Sequence, residues 1–202
     1  MIIYLSTPQV TYISLAIIAI AVIFILLFYL IFRNFYEAKH IKELTYRSLY
    51  RLANKNDYLL LNNYRIPIDD KNVGFIDHIL ITKKFIVLIN DFSISGVVSG
   101  DYKSEELVNV KKKTEIIANP LNYNINLTKR LSLFNDLDHS FLRGLVVINN
   151  DSKIMINNSN EQFQLIRRKD IAKTIKKFDH SGVGNLNEES VVKFINYLNK
   201  QK

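Results

Sequence analysis

The chain opens on an uninterrupted apolar block. No charged residue precedes Arg33, and positions 11–32 read TYISLAIIAIAVIFILLFYLIF. A helix rises about 1.5 Å per residue, so roughly 20 residues cross the hydrocarbon of a bilayer. The block therefore predicts one transmembrane helix over 11–32, with a short exterior segment over 1–10. Pro8 falls before it, and Tyr4, Tyr12 and Tyr29 stand where interfacial aromatics gather. A cleaved signal peptide fits less well: no basic stretch leads in, the apolar run is too long, and no small-residue cleavage pattern follows. A core helix of this length would carry a polar face.

Beyond the block the period changes. Residues 35–54 predict a helix, with Tyr36, Ile41, Leu44, Leu49 and Leu52 as a loose apolar stripe between charges. Three β-branched or aromatic runs follow, over 58–66, 74–82 and 85–90, and each has strand length. Only Lys83 and Lys84 separate the second from the third, which makes that pair a hairpin. A fourth strand is expected over 96–100. The stretch 101–118 is polar and does not resolve into elements. Asn119-Pro120 is a helix start, an N-cap residue followed by Pro at the first helical position. That helix is expected to run to about Asp138, with Leu121, Ile125, Leu131 and Phe134 on one face. A buried strand over 141–149, short strands at 155–156 and 163–166, a helix over 170–178, a turn over 181–185 and an amphipathic helix over 187–200 complete the order. Together these imply an α/β fold, a mixed sheet flanked by helices.

Composition narrows the chemistry. The 202 residues include no Cys, which excludes a disulfide framework, Cys-based metal sites and a Cys nucleophile. The net charge is +8, and every charge lies beyond the apolar block. Arg33, Lys39, Lys42, Arg47 and Arg51 follow the span closely, so the positive-inside rule places residues 33–200 in the cytoplasm. The partners such a basic domain favours are DNA or RNA, the anionic inner leaflet, or another protein. The runs Lys83-Lys84 and Lys111-Lys112-Lys113 are the candidate nucleic-acid contacts. Solvated surface is the alternative for them, as it is for Arg167-Arg168-Lys169 and Lys176-Lys177.

Several sites are absent by pattern. No GxxxxGK[ST] or GxGxxG occurs; Gly182 and Gly184 sit in a turn without the strand that such a loop needs. His40, His78, His139 and His180 show no ligand spacing and read as surface or hairpin residues. No nucleophile elbow is present. What remains is Asp77, a carboxylate inside the apolar strand Phe75-Ile76-Asp77-His78-Ile79. Burying it is costly unless it is paired or binds a metal. The hairpin returns the next strand beside it. In metal-dependent nucleases two carboxylates on such neighbouring strands hold Mg²⁺, and a Lys two residues past the second polarises the attacking water.

Here the sequence resembles a known family, the nuclease-related domain (NERD), a branch of the PD-(D/E)XK restriction-endonuclease-like fold. The likeness runs from about Glu43 to Ile175. Ile76-Asp77-His78-Ile79 matches the family's Ile-Asp-His block. Ser95-Gly96-Val97 and Gly100 match its S-G-x-[IV]-x-G, and Asn119-Pro120-Leu121 matches the N-P-[LIV] that opens its next helix. The resemblance implies a restriction-endonuclease-like sheet, with Glu43 and Asp77 among the site acids and Asp77 as the metal ligand. It also implies that an E-x-K should stand at 90–92, where this chain has Asn90-Asp91-Phe92. The second carboxylate is thus an amide and the Lys is a Phe. The Gln that follows N-P-[LIV]-x falls at Tyr123. Asp91 would serve only if a bulge turned it to the face of Asp77, since neighbouring strand residues point to opposite faces.

The reading is a membrane-anchored, basic nuclease-like domain that binds nucleic acid or protein without cleaving and needs no cofactor. The alternatives are a Mg²⁺-dependent nuclease using Asp91 and a membrane scaffold.

Overall fold

The computed structural model describes residues 7–67, 73–135, 137–157, 160–181 and 186–200. Most of the segment 1–10, expected to be exterior, and the Gly182 and Gly184 turn lie outside the described residues. The chain divides into two units, residues 1–39 and residues 40–202. Helix α1 (Thr7–Asn56) carries non-helical dihedrals at His40, near this division. In the first unit, residues 11–36 are solvent-exposed, and among the described residues α1 is the one helix long and apolar enough to cross a membrane.

The second unit is α/β, built on two sheets. Strands β1 (Leu59–Pro67), β2 (Val73–Ile81) and β3 (Ile86–Asp91) form an antiparallel meander. Thr82 closes the Lys83-Lys84 turn: its backbone N–H donates to Phe85 O at 2.9 Å, and its hydroxyl accepts from the Lys84 and Phe85 amides. The chain then makes β4 (Val97–Asp101), β5 (Glu106–Val110), β6 (Thr114–Ala118) and α2 (Pro120–Asn135) before returning to the first sheet as β7 (Leu142–Ile148). After β8 (Lys153–Asn157) and β9 (Phe163–Arg167) come α3 (Ile171–His180) and α4 (Glu188–Lys200). The first sheet has the order β1-β2-β3-β7-β9, with β7 and β9 parallel to β3; the second has the order β6-β5-β4-β8.

Each face of the first sheet is covered. Leu49, Leu52 and Ala53 of α1, with Ile171, Ile175 and Phe178 of α3, bury against Leu80, Val87, Ile89 and Val147. Leu127 and Leu131 of α2, with Phe194 and Leu198 of α4, bury against Ile79, Ile81, Ile86 and Leu88 on the other face. Val98 and Leu107 of the second sheet pack with Leu121, Val146 and Phe163. Strand alternation therefore puts odd β3 positions toward α1 and even ones toward α2.

Two expectations are corrected. The polar stretch 101–118 is the β5–β6 hairpin, missed because one face of these strands is solvated and their alternation is short. Helix α2 stops at Asn135, short of Asp138, and Phe134 is 53 % exposed; the buried stripe runs through Leu121, Asn124, Thr128 and Leu131. His78 stands on the hairpin, as one of its two readings had it, and is buried there.

Candidate functional site

The cleft forms where the first sheet opens. Backbone pairing of β2 with β3 ends at His78 opposite Ile89. Asn90 and Asp91 keep their β7 partners, Val146 and Val147, but on the β2 side they meet side chains instead. Asn90 Nδ2 donates to Phe75 O at 2.8 Å, and the Asp91 backbone N–H donates to Asp77 Oδ2 at 2.9 Å. On β1 the register brackets Asn63 against Asp77, and Asn63 has φ of 59°, a left-handed conformation that Asn tolerates better than most residues. The opening is a cleft of about 380 Å³ lined by Lys42, Asp77, Asn90, Phe92, Asn119 and Tyr123, among others.

Asp77 has both oxygens engaged. Lys42 Nζ, reaching in from α1, donates to Oδ1 at 2.7 Å, and the Asp91 amide holds Oδ2. The side chain is 11 % exposed, so its charge meets the ammonium in a partly desolvated place. Asn90 points to the α2 face, where Asn124 Nδ2 donates to its Oδ1 at 3.0 Å. Phe92 packs against the third core cluster with the Tyr123 ring edge-on at 6.5 Å. The Tyr123 hydroxyl caps the frayed β2 end: it accepts from Phe75 N at 2.7 Å and donates to Phe75 O at 3.1 Å.

Asp91 points the other way, toward α1. Its side chain is wholly buried. Thr45 Oγ1 donates to Oδ1 at 2.6 Å, and His78 Nε2 lies 2.9 Å from Oδ2, short of an aligned hydrogen bond. The other ring nitrogen, Nδ1, is 2.6 Å from Asn62 Oδ1. Each ring nitrogen therefore faces an oxygen, Nδ1 that of Asn62 and Nε2 that of Asp91. Burial pushes the Asp91 carboxyl up, and His78 and Thr45 oppose that shift.

Glu43 is exposed on α1, paired with Arg47 and 3.6 Å from His40 Nδ1, and is not part of the cleft lining. Lys83 and Lys84 occupy the β2–β3 turn, six residues or about 20 Å along the strand from Asp77. Lys84 Nζ donates there to Ser181 O at 3.1 Å. Lys111, Lys112 and Lys113 are exposed at the β5–β6 turn, the far end of β6 from the cleft residue Ala118. The residues that sequence reasoning passed over are Lys42, Thr45 and Asn124. Lys103, Lys129 and Arg130 were also missed. They line two shallow cavities that adjoin the cleft, with Tyr123 lining all three.

Residues 38–149 match the family model described as nuclease-related domain, more than half of the chain and every residue of the cleft. The chain belongs to the NERD family. No curated protein and no solved structure matches it. The PD-(D/E)XK likeness implies Mg²⁺ at this NERD cleft, and the donor set does not fit it. Mg²⁺ requires near-octahedral oxygen ligation at about 2.1 Å. Here Asp77 is held by an ammonium and an amide, Asn90 brings no charge, and the Asp91 carboxylate faces α1. Among the described residues no group of three or more His, Asp or Glu side chains is placed to hold a metal. Lys42 stands as the positive charge beside Asp77.

Proposed function

We propose that this chain is a membrane-anchored NERD protein whose domain holds nucleic acid without cleaving it. The observation that carries the reading is the 2.7 Å Lys42–Asp77 pair, which occupies the acid a nuclease would offer to metal. Asn90 is tied into the Asn124 amide network, Asp91 lines the cleft but its carboxylate is wholly buried toward Thr45 and His78, and Phe92, packed against the third core cluster, stands where a water-polarising lysine would. The same cleft continues along α2 into a groove with Lys103, Lys129 and Arg130 for phosphates and Tyr102, Tyr123 and Phe134 for stacking. Cations interleaved with aromatics are the composition that binds nucleic-acid strands without sequence preference. In this reading the apolar part of α1 serves as the anchor, and the basic residues after it favour a cytoplasmic domain.

The test uses the full chain in nanodiscs with labelled duplex and single-stranded DNA and RNA. Binding that engages about four phosphates gives a log–log salt slope near −3.6 on duplex, so affinity falls about a hundredfold between 50 and 200 mM salt. Lys129→Glu with Arg130→Glu should weaken binding at least tenfold. A folded protein that fails to bind any of these at low salt would move the reading to a protein scaffold. Topology is checked separately. A cytoplasm-active reporter fused after Lys202 should be active and an exterior-active one silent; the reverse pattern overturns the cytoplasmic assignment.

A further inference from the structure

The outer face of the second sheet is patterned in rows. Pairing places Ile116 of β6 opposite Val108 of β5, Val108 opposite Ser99 of β4, and Ser99 opposite Met155 of β8. Cross-strand partners share a face, so these four make one row straight across all four strands. Ile116 is 69 %, Val108 38 % and Met155 56 % exposed. Their strand neighbours Val98, Leu107, Ile117, Ile154 and Ile156 point inward to the third core cluster, which fixes the row as the solvent side. The row two residues toward one end contains Asp101 and Glu106; the row two residues toward the other contains Val97, Val110 and Lys153, with the 111–113 lysine turn just past it. The face therefore has an apolar middle, an acidic end and a basic end.

We propose that this face docks a second copy of the same chain, with the two-fold axis running along the Ile116–Val108–Ser99–Met155 row. A face-to-face pair of sheets has two simple two-fold arrangements. An axis parallel to the strands sets acidic end on acidic end. An axis along the row runs the facing strands antiparallel and brings each acidic end to the partner's basic end. It sets Val108 against the partner's Val108, Asp101 beside the partner's Lys153, and Glu106 beside the partner's Lys111. Such self-complementarity is what an isologous interface requires. An anionic bilayer or a nucleic-acid strand suits this face less, because Asp101 and Glu106 repel both and the row gives phosphates nothing to bind. Four strands spaced about 4.8 Å and five residues long offer on the order of 300 Å² per copy. A lasting dimer commonly needs about 800 Å² per partner. The contact is accordingly weak in dilute solution and is populated where copies share one membrane, a condition that rests on the anchor proposed above.

The chain has no cysteine, so single cysteines report cleanly. Packed sheets lie about 10 Å apart, so a short bismaleimide is the right probe rather than a disulfide. In membranes carrying the full chain, Val108→Cys and Ser99→Cys should each give a crosslinked dimer. Leu133→Cys, exposed on α2 and off this face, should stay monomeric at equal maleimide labelling. Adding Lys153→Glu to Val108→Cys should cut the dimer fraction severalfold. Crosslinking at Val108 no greater than at Leu133, or unchanged by Lys153→Glu, overturns the proposal. Nucleic-acid binding by the α2 groove is read in a different assay, so failure of either leaves the other standing.

Discussion

Asp91→Ala should lower the melting temperature of the full-length protein by about 10 °C, while Asp91→Asn should cost less than half of that. The alanine leaves the Thr45 hydroxyl and one His78 nitrogen facing a void in a fully buried place. Removing one partner of a buried pair costs about 3–5 kcal/mol, and each kcal/mol shifts the midpoint of a domain this size by about 2–4 °C. Asparagine keeps the shape. Its carbonyl can still accept from Thr45, and its amide takes the place of Oδ2 beside His78 Nε2. Calorimetry on the three proteins decides this. An Asp91→Ala midpoint within 2–3 °C of the native one would mean that the Thr45–Asp91–His78 linkage is not part of the folded state.

Gly144→Ala should be about as damaging, by overpacking. A Cβ there would stand 2.0 Å from Asn124 Oδ1 and 2.4 Å from Phe163 Cδ1. Gly144 lies on β7 between Leu88 and Phe163, and its bare Cα lets α2 approach the sheet closely. Asn124 is fully buried, so it can yield only by giving up its bonds to Leu88 O and Asn90 Oδ1. Overpacking alone costs about 1–3 kcal/mol, and the broken amide network adds about 1 kcal/mol or more. A fall of about 6–12 °C in the midpoint is expected. A Gly144→Ala protein as stable as the native one would show that α2 has room to move and that Asn90 is not held as described.

Elements with a strong local signal were legible. The apolar block, the two-residue Lys83-Lys84 turn and the Asn119-Pro120 helix start each declare themselves within a few residues, and each lies where expected. The resemblance to NERD rested on three short blocks in order, and the family match bears it out. The second sheet was not legible, because β5 buries only Leu107, β6 only half-buries Ile117, and their five-residue alternation is lost among lysines and glutamates. In the cleft, Asp77 was visible as a carboxylate in an apolar strand. Its partner was not, because Lys42 reaches it across 35 residues, and nothing in a helix of alternating charges sets one lysine apart. Two signals were there to be read. Thr45 breaks the stripe of Ile41, Leu49 and Leu52, and Asn124 with Thr128 breaks the buried stripe of α2. Polar residues on buried faces need partners, and here Thr45 and Asn124 reach the cleft strand β3.

The most direct test of the account is cleavage of supercoiled plasmid by the native chain beside its Asp77→Ala variant, in Mg²⁺ and in Mn²⁺. Lys42 holds Asp77, Asp91 is turned toward Thr45 and His78, and an amide at Asn90 with an aromatic at Phe92 supplies the metal no further charged oxygen and an attacking water no lysine. Native and variant should both leave the plasmid supercoiled, at the level of the metal-free control. Nicking or linearisation by the native chain that needs the metal and disappears in Asp77→Ala would contradict it.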